Sequence, residues 1–267
     1  MNTIPMLGAG TFRLNEQAAF DSVLMALQAG YRHIDTAQIY GNEQQVGEAI
    51  RASGLARDQV FITTKVWIDN LAKADFIDSV RDSLAKLQTD YVDLLLIHWP
   101  LKDPGVAMAE YLGELKAAKA TGLTRQIGVS NFTNAQLAQA IAIVGEGEIA
   151  TNQVEVHPYL QNRDVVAWCR QHGVVVTGYM PFAYGEVLKD DTILAIADKH
   201  GASAAQVVLA WMRQQDLVTI PSSTKKANIE SNLASDTVTL NADDMAQIAV
   251  LDRGQRLANP DFAPEWD

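Results

Sequence analysis

The alternation of short apolar runs with longer amphipathic segments is the feature of this sequence that most restricts its fold. Strands are predicted at 6–12, 31–35, 60–66, 92–98, 125–130, 150–155, 174–179 and 217–221. Between them, segments such as 15–30, 73–87, 107–122, 134–145 and 163–173 have helical periodicity, and most of these end at glycine. Eight βα units without a break in composition predict one α/β domain over residues 1–267, a (β/α)8 TIM barrel. An open doubly wound sheet is the alternative.

The charge and cysteine content exclude several classes of function. The 267 residues include 21 Lys and Arg against 32 Asp and Glu, which gives a formal net charge of −11. Nucleic acids and anionic membranes attract basic surfaces, so we expect neither as a partner. The single cysteine, Cys169, allows no internal disulfide and no cysteine-based zinc site, and we expect no metal. The sequence shows no signal-peptide pattern and no apolar stretch of membrane-spanning length, so we expect a cytoplasmic protein.

Titratable side chains of four kinds stand at or just after consecutive predicted strands. Asp35 ends the second strand and Tyr40 follows it, while Lys65 ends the third and His98 the fourth. The carboxyl ends of barrel strands form one face, so we expect the four groups to meet there. An ammonium near a phenol lowers the pKa of the phenol, and a neutral imidazole can donate a hydrogen bond to a carbonyl oxygen. The pattern therefore predicts a proton donor, Tyr40, directed at a substrate oxygen.

The same residues allow other interpretations, which differ in the motifs that they require. An Asp beside a Lys at strand ends is often only a structural ion pair. A Schiff-base enzyme would use Lys65 as its nucleophile, which requires a desolvated amine rather than one paired with Asp35. No tyrosine is followed four residues later by lysine, the pair that a short-chain dehydrogenase needs. Residues 8–13 have Arg13 where a dinucleotide-binding fingerprint needs its third glycine.

Further polar and aromatic residues are expected at the same face. The polar residues that close the fifth, sixth and seventh strands are Ser130, Asn131, Asn152, Gln153, Glu155 and Tyr179. Phe12, Trp67 and Trp99 lie at or just beyond strand ends, so we predict that they wall a substrate pocket together with His98. The end of the chain contains Phe262 and Trp266. A disordered acidic tail has little use for two large aromatic residues, and we predict that this tail folds over the barrel mouth.

Two long motifs resemble signatures of the aldo-keto reductases. The first is Gly30-Tyr31-Arg32-His33-Ile34-Asp35-Thr36-Ala37, followed by Tyr40, Glu43 and Gly47, and the second is Ile127-Gly128-Val129-Ser130-Asn131-Phe132. The resemblance extends over essentially the whole chain. Within the family it is strongest to the bacterial 2,5-diketo-gluconate reductases of the B type. It implies a (β/α)8 barrel that passes a hydride from a nicotinamide cofactor to the carbon of a carbonyl group.

The resemblance also implies a role for each site residue. Tyr40 is implied as the proton donor, with Lys65 and Asp35 as the pair that tunes it, and His98 orients the substrate. Asp35 also belongs to the implied cofactor site. The other residues implied there are Ser130, Asn131 and Gln153, which hold the nicotinamide carboxamide, and Tyr179, which stacks on its ring.

A third signature departs from the family pattern. The family usually has Ile-Pro-Lys-Ser followed by an arginine, a basic pair that grips the 2′-phosphate of NADPH, whereas this chain has Ser222 and Asn228 at those two positions. Lys225 and Lys226 are expected to supply the charge instead. Ser223 and Thr224 would add hydroxyl donors at a helix start. We therefore predict that this segment binds NADP(H) in preference to NAD(H), with a smaller margin than in relatives that carry Lys and Arg, and NAD(H) is not excluded.

The sequence thus predicts a monomeric, NADP-dependent reductase that converts small aldehydes and ketones to alcohols. 2,5-Diketo-D-gluconate and methylglyoxal-like 2-oxoaldehydes are the implied substrates. Two alternatives stay open: a non-catalytic, nicotinamide-sensing regulatory subunit, and a Schiff-base lyase that uses Lys65. The intact set of Asp35, Tyr40, Lys65 and His98 favours the reductase over the regulatory subunit.

Overall fold

In the computed structural model, which describes residues 3–102 and 105–267, eight parallel strands form one sheet in sequence order. They are β1 (Ala9–Gly10), β2 (His33–Asp35), β3 (Phe61–Val66), β4 (Val92–Ile97), β5 (Thr124–Ser130), β6 (Ile149–Glu155), β7 (Val175–Tyr179) and β8 (Val218–Thr219). The α-helices of the described residues are α1 (Glu16–Ala29), α2 (Glu43–Ala52), α3 (Lys73–Leu87), α4 (Met108–Ala120), α5 (Asn134–Val144), α6 (Arg163–Gln171), α7 (Asp191–His200), α8 (Ala204–Arg213), α9 (Lys226–Leu233) and α10 (Ala242–Ala249). At least one helix follows every strand, which confirms the predicted alternation.

Backbone hydrogen bonds between the first and the last strand close the sheet into a barrel. Gly8 N donates to Thr219 O at 2.8 Å, Thr219 N donates to Met6 O at 2.9 Å, and Gly10 N donates to Pro221 O at 3.0 Å. This closure excludes the open doubly wound sheet. Residues 6–8 pair across this seam rather than with β2, so the predicted strand 6–12 is a regular strand over only two residues.

The predicted bounds of most elements lie close to the observed ones. The segments predicted as helices at 15–30 and 73–87 are the helices Glu16–Ala29 and Lys73–Leu87. The helix α1 ends because Gly30 adopts a φ of 119°, and its N–H then bonds back to the carbonyl oxygens of Ala26 and Leu27. None of the helices in the described ranges has the length and hydropathy needed to cross a bilayer.

Apolar side chains fill the lower part of the barrel and leave its upper end to polar groups. Leu94 and Leu96 of β4 face the interior, where they are buried with Ile4, Phe61 and Val218. The alternate residues of the strands pack outward against the helices in the larger core. The inward-facing polar residues of β2 to β7 therefore gather near the carboxyl ends of the strands.

Candidate active site

The four titratable residues predicted to converge lie together at the carboxyl ends of β2, β3 and β4. Asp35 ends β2, Lys65 lies in β3, His98 follows β4, and Tyr40 ends a short 3-10 turn after β2. Lys65 Nζ lies 2.5 Å from Asp35 Oδ1 and 5.1 Å from the centre of the Tyr40 ring. The rings of Tyr40 and His98 meet edge to face, with centres 5.6 Å apart. These distances confirm the predicted convergence.

Lys65 and Asp35 form a buried ion pair with further hydrogen bonds on both sides. The Lys65 ammonium is fully buried and donates to Asp35 Oδ1 and, at 2.8 Å, to the carbonyl oxygen of Thr36. Asp35 Oδ2 accepts from Gln153 Nε2 at 2.8 Å. Burial lowers the pKa of Lys65, and the charge of Asp35 opposes that shift. An amine enclosed and hydrogen-bonded in this way is a poor nucleophile, so the geometry disfavours the Schiff-base lyase.

Burial also sets the protonation states of Tyr40 and His98. It raises the pKa of Tyr40 well above its ordinary value, and the negative charge of Asp35 adds to the shift. The expectation of a lowered pKa for Tyr40 is therefore wrong, because desolvation and the charge of Asp35 both raise it. Burial lowers the pKa of His98 well below its ordinary value, and the charge of Lys65 adds to that effect. At neutral pH, Tyr40 is a protonated phenol and His98 a neutral imidazole.

Polar residues from β5, β6 and β7 form a hydrogen-bonded row beside the ion pair. Ser130 Oγ donates to the carbonyl oxygen of Gln153 at 2.7 Å, and Asn131 Nδ2 donates to Ser130 Oγ at 3.1 Å. The hydroxyl of Tyr179 donates to Asn131 Oδ1 at 2.7 Å. All four residues line the cavity that Asp35 also lines. Amides and a hydroxyl beside a tyrosine ring suit a flat ring that carries an amide, so the residues present fit a nicotinamide.

This cavity has a volume of about 1000 Å³ and extends to the loop after β8. From the segment predicted to bind the 2′-phosphate, its lining includes Ser222, Ser223 and Asn228. Thr224 and Lys225 are absent from the lining formed by the described residues. Both are exposed, and Lys226 Nζ lies 3.7 Å from a carboxylate oxygen of Glu230. Hydroxyl and amide groups thus form the wall at this end, while the two lysines stand outside it.

Aromatic rings surround Tyr40 and His98. The centres of the Phe12 and Tyr40 rings are 5.3 Å apart, and Trp67 meets His98 edge to face at 5.2 Å. Phe12, Trp67 and Trp99 all line the cavity, as predicted. The proton-donor candidate therefore faces an apolar, aromatic compartment of the cavity.

The C-terminal segment folds over this compartment, which confirms the prediction for the tail. Phe262 lies edge to face with both Trp67 and Trp99, at centre distances of 5.6 and 5.5 Å. The centres of the Trp266 and Trp99 rings are 6.0 Å apart. Phe262 thus packs on two rings of the aromatic wall, although no sequence pattern connected it with them. The apolar character of the tail predicted its docking, but a sequence pattern does not say which rings it meets.

A buried carboxylate to which the sequence assigned no role anchors this tail. Glu155 ends β6 and is fully buried. Its carboxylate accepts hydrogen bonds from the backbone N–H groups of Leu257 and Ala258 at 2.8–3.1 Å, and from His157 Nε2 at 2.8 Å. The sequence pattern that could have pointed to Glu155 is the alternation along β6, which places Glu155 on the same side of the strand as Gln153.

Sequence comparison identifies relatives over nearly the full length of the chain. The Aldo/keto reductase family model matches residues 6–253. Methylglyoxal reductase DkgB of Yersinia pestis is 57% identical over 266 residues, which cover 99% of this chain and 100% of that protein. Methylglyoxal reductase DkgB of Escherichia coli O157:H7 is 54% identical over 265 residues, which cover 99% of each protein.

Solved structures agree with this relationship. A crystal structure assigned to a 2,5-diketo-D-gluconic acid reductase B superposes with a TM-score of 0.95 at 45% identity, covering 99% of this chain and 94% of that one. The aldose reductase from Schistosoma japonicum superposes with a TM-score of 0.89 at 28% identity, covering 94% and 90%. Enzymes of this family act on small carbonyl compounds with nicotinamide cofactors. The chain therefore belongs to the aldo/keto reductase family and is an oxidoreductase.

Proposed function

We propose that this enzyme uses NADPH to reduce small aldehydes and ketones, with 2-oxoaldehydes such as methylglyoxal and sugar ketones such as 2,5-diketo-D-gluconate as its substrates. The observation that carries the proposal is a single cavity. Tyr40 and His98 line it next to the row of Ser130, Asn131, Gln153 and Tyr179 that fits a nicotinamide. The relatives named methylglyoxal reductase and 2,5-diketo-D-gluconic acid reductase support these two substrate classes.

The proposed mechanism assigns the proton transfer to Tyr40. A bound reduced nicotinamide supplies the hydride. The phenol of Tyr40, held protonated by burial, donates its proton to the carbonyl oxygen as negative charge develops there. Lys65, 5.1 Å from the Tyr40 ring centre, then stabilises the phenolate that remains. Asp35 keeps the ammonium in place.

His98 is the proposed hydrogen-bond donor that orients the carbonyl. Its Nδ1 atom is buried and has no hydrogen-bond partner among the described residues. A proton at Nδ1 would therefore be an unsatisfied buried donor, which favours the neutral tautomer with the proton on Nε2. The low pKa of His98 keeps it neutral, so it polarises the carbonyl without adding a second acid.

The proposed preference for NADPH rests on charge near the loop after β8. The enzyme has a net charge of −11, so a 2′-phosphate needs a local cation. Lys225 and Lys226 stand at the start of α9, outside the wall that Ser222, Ser223 and Asn228 form. Exposed lysines outside the wall attract the phosphate without the bidentate grip of an arginine, so the preference over NADH is smaller than in relatives that carry Lys and Arg. We also propose a monomeric, cytoplasmic protein with residues 1–267 as one domain.

A matched pair of tyrosine variants tests this function. Oxidation of NADPH with methylglyoxal is measured for the wild type, Tyr40→Phe and Tyr91→Phe. Tyr91→Phe is the control, because the Tyr91 ring packs against Arg57 and Arg125 and does not line the cavity. We expect Tyr40→Phe to lower kcat by about 10² to 10⁴-fold, the usual contribution of a positioned acid, with an unchanged Kd for NADPH. Tyr91→Phe should stay close to wild type. Near wild-type turnover by Tyr40→Phe would refute the assignment of the proton donor.

A further inference from the structure

The segment that follows α10 forms a strap across the cavity. No helix or strand is present from 251 to 267, so the strap has no backbone ladder of its own. Leu257, Ala258, Asn259 and Pro260 nevertheless line the cavity, and Phe262 packs against Trp67 and Trp99. The position of this cavity wall must therefore come from contacts between the strap and the barrel.

The contact nearest to the cavity-lining residues is the one with Glu155. Both of its carboxylate oxygens accept from the strap, with Leu257 N at 2.9 and 3.1 Å and Ala258 N at 2.8 Å. The carboxylate is fully buried. Hydrogen bonds to an ionised acceptor are about twice as strong as neutral ones, and water does not compete for a buried group. Two consecutive backbone groups are thereby fixed to the end of β6.

His157 is a further partner of this carboxylate. Its Nε2 lies 2.8 Å from Glu155 Oε1, and its Nδ1 is buried without a hydrogen-bond partner in the part of the chain that the structure describes. A proton on Nδ1 would be unsatisfied, so the proton belongs on Nε2, where it is donated to Glu155. All donors around the carboxylate therefore require an acceptor at this position.

We propose that Glu155 is a positioning residue for the carbonyl substrate. Its carboxylate holds Leu257 and Ala258 and so fixes the strap, with Phe262, over the aromatic compartment in which the carbonyl is reduced. Glu155 itself does not touch the substrate. This proposal rests on the carbonyl reductase function proposed above, and it assigns to one buried carboxylate the control of KM for the substrate.

The test is the isosteric variant Glu155→Gln. Its NH2 group meets an N–H of the strap in either orientation. In one orientation it also faces His157, which must then move its proton to the unpartnered Nδ1. We expect KM for methylglyoxal to rise about ten-fold, which corresponds to about 1.4 kcal/mol, while kcat and the Kd for NADPH stay within about two-fold. Glu186→Gln is the matched control, because Glu186 also accepts from the strap, from Gln255 Nε2 at 2.8 Å, but at an exposed position. We expect it to leave KM unchanged.

Two further measurements separate anchoring from a general loss of structure. Hydrogen exchange of the peptide 253–262, followed by mass spectrometry, should accelerate about ten-fold in Glu155→Gln, with the core strands unchanged. Deletion of 262–267 removes Phe262 and should raise KM by itself, and adding Glu155→Gln to that deletion should raise KM by a smaller factor than it does in the full-length chain.

The outcomes separate the two proposals. Unchanged exchange in Glu155→Gln would overturn the anchoring, and faster exchange with unchanged KM would overturn the role in substrate binding. A wild-type enzyme without activity on any carbonyl compound would instead refute the proposed function, and the exchange measurement would still decide whether Glu155 holds the strap.

Discussion

Replacing Asp35 by asparagine separates the charge of the active site from its shape. One carboxylate oxygen accepts from Lys65 Nζ at 2.5 Å and the other from Gln153 Nε2 at 2.8 Å. Asparagine has the same size, but its NH2 group must face one of these two donors. The substitution therefore removes the charge that pairs with Lys65 and adds a contact between two donors.

The expected cost follows from the burial of the pair. Asp35 and Lys65 have side chains that are 2% and 0% exposed, and removing one partner of such a pair costs about 3–5 kcal/mol. The pKa of Lys65, already lowered by burial, should fall further because the opposing charge of Asp35 is gone. Lys65 then binds its proton more weakly in the folded than in the unfolded chain. The free energy of unfolding of Asp35→Asn should therefore rise with pH up to the unfolded pKa near 10.5.

Urea unfolding of Asp35→Asn, Lys65→Met and the double variant measures this coupling. The loss of unfolding free energy in the double variant should be about 2–3 kcal/mol smaller than the sum of the losses in the two single variants, because the double variant leaves no unpaired buried charge. Asp78→Asn is the control, since Asp78 pairs with Arg81 at the surface, and it should change stability by less than about 1 kcal/mol. Additive losses for Asp35→Asn and Lys65→Met would refute the argument.

Replacing Lys225 and Lys226 together by alanine should raise the Kd for NADPH about ten-fold and leave that for NADH unchanged, as measured by titration calorimetry; equal losses for both cofactors would contradict this. Asp244→Asn should lower the free energy of unfolding at pH 7 by about 2 kcal/mol. Burial acts to raise the pKa of Asp244, but hydrogen bonds from a lysine, a histidine and a backbone N–H lower it to about 2. The stabilisation is therefore complete above the unfolded pKa of 3.8, and it is lost as the pH falls through the folded pKa of about 2. Urea midpoints between pH 7 and 2 check this, and a variant as stable as wild type at pH 7 would count against it. Gly10→Ala should lower the urea midpoint, because the added Cβ would lie 2.5 Å from a backbone oxygen. Gly113→Ala, in open space within α4, should raise the free energy of unfolding by about 0.5–1 kcal/mol. The opposite order of stability would be inconsistent with the close approach at Gly10.

The barrel and the convergence of the candidate catalytic residues could be predicted because both depend on local patterns. The apolar runs predicted the strands, and the polar residues at the ends of those runs included Asp35, Lys65 and His98. The carboxyl ends of parallel strands meet at one face whatever the details of packing. Position along the chain is therefore enough to place these residues near one another.

Details that depend on which distant groups meet could not be predicted, although the docking of the tail could. The regular part of β1 is short because residues 6–8 pair with β8, far along the chain. The Glu155 carboxylate accepts from backbone N–H groups that lie 102 and 103 residues further along the chain. The net direction of the pKa shift of Tyr40 depends on how much protein surrounds the phenol, and the spacing of Lys65 in the sequence does not contain that information.

The seam between β1 and β8 has a consequence for how the chain reaches its native state. Each of the other seven strand pairs joins neighbours in sequence, so these pairs can form in order as the polypeptide leaves the ribosome. The bonds of Gly8 and Thr219 cannot form until almost the whole chain has been synthesised. Until then β1 is the unprotected edge of an open sheet, and such an edge can pair with another chain. Nascent chains stalled before β8 should therefore aggregate more readily than chains released at full length.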